Sequence, residues 1–108
     1  MNKNKRARLE GQGWRFRSAE DFLKLTPEEA AFVKTKLALS RYLRDRRTAR
    51  HVSQSALAKL LKSSQSRVAK MEAADPTVSV DLLLRAVFAL GAKPRDVASV
   101  LRSRRAAA

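Results

Sequence analysis

The chain has 108 residues, which supports one domain whose core must draw on nearly every apolar side chain; a composition led by Ala and Leu, with only 6% aromatic residues, favours an all-α class. Lys and Arg number 24 against 10 Asp and Glu, and the formal charge of +14 points to a polyanionic partner: DNA, RNA or an anionic membrane surface. The absence of cysteine excludes disulfides and thiolate metal sites, and the single histidine, His51, cannot build a metal site alone, so neither metal nor cofactor is expected.

Residues 1–17 carry Lys3, Lys5, Arg6, Arg8, Arg15 and Arg17 against one acid, Glu10, with Gly11 and Gly13 opposing any helix. They read as a flexible basic arm, either a phosphate or minor-groove contact or a solvated tail. Trp14 and Phe16 are unusual in such an arm and, with Phe22, form a candidate surface for the domain or a protein partner. No stretch approaches the roughly 20 apolar residues of a membrane-spanning helix. The N-terminus also lacks the apolar region of a secretory signal. A cytoplasmic protein with no membrane association is expected.

Residues 18–101 read as the folded domain. Ser18 can cap a short helical extension, with Phe22, Leu23 and Leu25 expected on its apolar side. Thr26, Pro27 and Glu29 then form a capping box with proline at the first helical position. The helix that follows is predicted from Pro27 to about Ala49, with Ala30, Val33, Leu37, Ser40 and Leu43 on its inner face and Phe32, Leu39 and Tyr42 widening it. The surplus near Phe32 and Leu39 calls for cover by the preceding segment or for a dimer contact. Arg41, Arg44, Arg46, Arg47 and Arg50 gather toward its end, where cations suit the helix dipole. Arg47 and Arg50 are candidate phosphate contacts.

Val52 to Glu72 reads as two short helices joined by a tight turn. Ser53 caps the first, whose stripe is Leu57, Ala58 and Leu61; Ser64 caps the second, whose stripe is Val68 and Met71. The remaining positions on the second helix, Gln65, Ser66, Arg67 and Lys70, are hydrogen-bond formers of the kind that read base edges. Arg67 is the leading candidate for guanine and Gln65 for adenine. Ser53, Ser64, Lys59 and Lys62 are candidate phosphate contacts. This is the pattern of a DNA-binding helix-turn-helix, centred on residues 53–72.

Past a loop through Asp75 and Pro76, Ser79 is set to cap a helix bearing Leu83, Leu84, Val87 and Leu90, which Gly91 ends in the left-handed conformation. Pro94 opens a last helix whose Val97, Val100 and Leu101 should close the core. Residues 102–108 are expected to form a frayed basic tail. The acids Glu28 and Glu29 are accounted for by capping, and neither a Gly-rich phosphate loop nor a partner for His51 is present, so catalysis is not expected.

The motifs S-Q-x-x-L-A at Ser53 to Ala58, S-x-S-x-V at Ser64 to Val68, Met71-Glu72, and L-L-x-x-x-x-A-L-G at Leu83 to Gly91 resemble the Cro and cI repressor (XRE) class of helix-turn-helix over about forty ungapped residues. Residues Ala19 to Leu101 are more narrowly similar to HigA-type antitoxins, repressors encoded beside a ribonuclease-type toxin. Phage and stand-alone regulators share most of the same pattern. The resemblance implies a five-helix lambda-repressor-like domain binding operator DNA as a homodimer. It also implies that Gln54 faces phosphate and meets Gln65 at the DNA surface, that Glu72 and Leu57 are structural, and that a small basic toxin is a possible partner. Two positions depart from the pattern: Lys62 stands in the turn where glycine is common, a left-handed position that a non-glycine residue takes at a cost of roughly 1 kcal/mol, and His51 replaces the glycine before Val52 and is expected to stop a helix. Arg46 replaces an apolar residue, and its stem is expected to pack while its head reaches solvent or DNA.

Overall fold

Thr26 starts the first long helix as expected: its hydroxyl accepts from Glu29 N at 3.1 Å, and Glu29 Oε1 accepts from Thr26 N at 2.8 Å. The computed structural model describes residues 24–107, and the side chains of residues 24–102 among them. Five helices run through these residues: α1 (Pro27–Ala49), α2 (Gln54–Leu60), α3 (Gln65–Glu72), α4 (Val80–Ala89) and α5 (Pro94–Ala107). Ser53, Ser64 and Ser79 cap α2, α3 and α4, each accepting from the backbone N–H three residues on, at 3.0, 3.2 and 3.1 Å. The basic arm, Ser18 and the aromatic residues Trp14, Phe16 and Phe22 lie outside the described residues.

Four helix ends share one geometry. After α1, α2, α3 and α4, residues His51, Lys62, Ala74 and Gly91 take φ of 57°, 54°, 55° and 88°. In each case the next backbone N–H turns back to a carbonyl of the last helical turn, as in Val52 to Arg47, Ser63 to Ala58, Asp75 to Lys70 and Ala92 to Val87. This is the Schellman arrangement, which satisfies carbonyls a helix end leaves orphaned. Only one of the four residues is glycine, so the other three carry left-handed strain. Lys62→Gly should therefore stabilise the domain, by about 0.5–1 kcal/mol once glycine's extra flexibility is subtracted. Urea denaturation checks this; an unchanged or lowered midpoint would count against strain at Lys62.

Among the described residues α1 packs against α3, α4 and α5, while α2 packs on α3. The core joins Leu39 and Leu43 of α1, Leu57 of α2, Val68 and Met71 of α3, Leu83 and Val87 of α4, and Val97 of α5. Along α1, however, Leu37 is 37% exposed and Leu39 only 1%. At about 100° per residue the two stand nearly opposite each other on the helix. The side that meets the other helices is that of Leu39, so Leu37 leaves the expected inner face. The inner face also takes in Lys36, 3% exposed, close enough to influence Asp75.

At the C-terminal end the expectation of a closing stripe is met only in part. Val97 is buried, Val100 half-buried and Leu101 exposed. The helix also continues to Ala107, taking in most of the stretch expected to fray. Arg and Ala are strong helix formers and no Gly or Pro interrupts them. No helix among the described residues is long and apolar enough to cross a membrane.

Candidate nucleic-acid interface

The caps and Schellman ends fix the lengths and exits of α2 and α3, and burial of Leu57, Ala58, Val68 and Met71 fixes which way each helix faces. What α3 turns outward follows from the period of 3.6 residues per turn. Val68 and Met71 point into the core, so Ser66, Ala69 and Lys70 lie on the opposite strip. Gln65 and Arg67 stand on its two shoulders, Gln65 on the side of Gln54. Gln65, Ser66, Arg67 and Lys70 are all exposed, as are Ser53, Ser64, Lys59 and Lys62. Ala69, which was not singled out in the sequence, is half-buried on the Gln65 side of Ser66.

A chain of hydrogen bonds runs from the end of α1 to this surface. Arg47 donates through Nε to Glu72 Oε2 at 2.5 Å and through Nη2 to Glu72 Oε1 at 3.0 Å, the two-pronged arrangement that suits a guanidinium and a carboxylate. Glu72 Oε1 also accepts from Gln54 Nε2 at 3.1 Å. Gln54 Oε1 in turn accepts from Gln65 Nε2 at 2.6 Å. Gln54 and Gln65 thus meet as the resemblance implied. The side chains of Arg47 and Glu72 are 13% and 6% exposed, and the hydrogen bonds that Arg47 donates to Glu72 hold its guanidinium above its ordinary pKa.

This chain gives Arg47 a different occupation from the phosphate contact expected of it. Nη1 donates to Val52 O at 2.8 Å, so all three guanidinium nitrogens are engaged within the domain. Arg46 also departs from expectation. Its half-buried side chain turns to the end of α4 instead: Nε donates to Leu90 O at 2.9 Å and Nη1 to the Tyr42 hydroxyl at 3.1 Å. It thereby satisfies a carbonyl at the C-terminus of α4, where a cation is also favoured by the helix dipole. Arg50 lies beside it: a Cβ at Gly91 would stand 3.3 Å from Arg50 Nη2 and 3.4 Å from Arg46 Nη2. One of the basic residues that close α1 therefore serves the end of α4, and another serves α3. Only pairing of chemical groups across the fold reveals this, because arginine at a helix end reads the same whichever way its head turns.

The loop after α3 is braced by Asp75, whose Oδ1 accepts from Thr77 N at 2.9 Å and from the Thr77 hydroxyl at 2.6 Å. These bonds hold the Asp75 carboxyl below its usual pKa range. Among the described residues no group of His, Asp and Glu is placed to hold a metal ion.

A capped helix pair with an exposed polar second helix, supported by three further helices, matches a known family. A family model described as a helix-turn-helix domain covers residues 38–101, more than half of the chain. None of the curated proteins and none of the solved structures matches it. With its five described helices and no strand among them, the chain belongs to the helix-turn-helix domain family, as a DNA-binding domain of the XRE-like kind.

Proposed function

We propose that the protein is a transcriptional repressor that binds double-stranded operator DNA sequence-specifically, as a homodimer, through the outer face of α3. The observation that carries this reading is the Gln54–Gln65 contact at the solvent face of the helix pair, which holds one amide ready for a base edge. Gln65, Ser66, Arg67 and Lys70 read bases, with Gln65 toward adenine and Arg67, on the shoulder of the strip, toward guanine. Ser53, Ser64, Gln54, Lys59, Lys62 and Arg50 contact phosphates, and Arg47 supports them from behind. Dimerisation follows from the few base pairs that one recognition helix spans.

The more specific role is that of an antitoxin that represses its own operon and neutralises a ribonuclease-type toxin. It is supported by the similarity of Ala19 to Leu101 to HigA-type antitoxins, with Trp14, Phe16 and Phe22 as the toxin contact. A phage or mobile-element regulator would use the same DNA face with no toxin.

Footprinting on the protein's own promoter region at two salt concentrations tests the DNA reading. A sharp, palindromic protected site is expected, with affinity falling steeply as salt rises. Arg67→Ala and Gln65→Ala should each lose about 1–3 kcal/mol of discrimination between the site and a mutated one. Diffuse, salt-labile coating that both variants reproduce would reduce the activity to charge alone. Co-purification with the product of an adjoining gene decides the antitoxin role.

A further inference from the structure

We propose that Glu72 sets the base preference of α3 by dictating which way the Gln65 amide points; this rests on reading α3 as the base-contacting helix. Glu72 is nearly buried and salt-bridged to Arg47, and a carboxylate has acceptors only. The atom of Gln54 that faces it must therefore be Nε2, as its 3.1 Å bond to Glu72 Oε1 requires. The reversed amide would set oxygen against oxygen. Gln54 Oε1 is thereby turned toward α3, and the atom of Gln65 that faces it must again be a donor, the Nε2 at 2.6 Å. Polarity imposed by one carboxylate passes through two amides to the surface.

What Gln65 presents outward is then determined: Oε1 as acceptor and one remaining Nε2 hydrogen. Adenine offers the complement in the major groove, an N6 donor beside the N7 acceptor. Guanine offers two acceptors, N7 and O6, which call for two donors. A freely rotating glutamine can turn both amide hydrogens to guanine. A glutamine with one hydrogen held by Gln54 cannot. Glu72 and Gln54 act as positioning residues, selecting adenine over guanine without touching a base.

The test is selection of the full-length protein and its variants on a randomised duplex library. Gln65→Ala identifies the position that Gln65 reads, as the one where preference disappears. At that position the wild type should enrich adenine. Gln54→Met keeps the Arg47–Glu72 pair and removes the link together with the Gln54 phosphate contact, which carries no base preference, and Glu72→Gln removes the acceptor-only group. Each should reduce the adenine-to-guanine ratio there by about tenfold, within the range of one good base contact, and leave preferences elsewhere intact. Circular dichroism melts identify variants that fail to fold, and if Glu72→Gln is one, Gln54→Met decides alone. A folded Gln54→Met that retains the wild-type ratio overturns the role of Glu72 and leaves DNA reading by α3 standing. A wild type that enriches no motif, or a Gln65→Ala that enriches the same one, overturns both.

Discussion

Replacing Glu72 by alanine is expected to lower the unfolding free energy by about 3–5 kcal/mol, a large share of the 5–15 kcal/mol typical of a domain. The cost lies less in the attraction lost than in what remains. Arg47 keeps its charge at every accessible pH and is only 13% exposed, so without Glu72 it is a nearly buried cation with a single carbonyl, that of Val52, still accepting from it. A control separates these contributions. Arg47→Met with Glu72→Leu removes both charges and fills similar volume, and such replacements of buried pairs are commonly neutral or stabilising. Urea denaturation of the two single variants and the double variant completes the cycle. If Glu72→Ala costs under about 1 kcal/mol, the pair behaves as an exposed one and its part in holding α1 to α3 is refuted.

The second large effect concerns two leucines three residues apart on α2. Leu57 is fully buried in the core, whereas Leu60 is 61% exposed. Leu57→Ala should cost about 2–5 kcal/mol, the transfer cost of the lost side chain plus the cavity left behind. Leu60→Ala should stay within about 0.5 kcal/mol of wild type. Thermal or urea unfolding distinguishes them directly, and similar losses at both would mean that α2 does not face the core as described. The pair matters for function because Leu57 helps fix the rotation of α2, and with it the position of Gln54 over Gln65.

Much of the fold was legible in the sequence because its strongest signals are local. Thr26 with Glu29, and Ser53, Ser64 and Ser79, cap helices through hydrogen bonds to residues three positions away, so a short window suffices to read them. The left-handed stops at Lys62 and Gly91 were readable from position as well, and His51 was readable as a stop. Ala74, a fourth, was not, since alanine carries no mark of that conformation. The spacing of Leu57, Val68 and Met71 told which faces of the motif helices are inward, and hence which side chains of α3 are offered outward.

The sequence by itself thus determined the all-α class, the helix starts and most of their ends, and the helix pair with its exposed Gln65, Ser66, Arg67 and Lys70, because capping and helical periodicity act within a few residues. The tertiary structure alone decided where the long side chains terminate. It turned Leu39 inward and Leu37 outward, sent Arg46 to the carbonyl of Leu90, and bound Arg47 to Glu72. Each of these depends on a partner 25 or more positions away in the chain or on the packing of other helices. An arginine or glutamate has the reach to choose among several such partners, and only the assembled core fixes which one it meets.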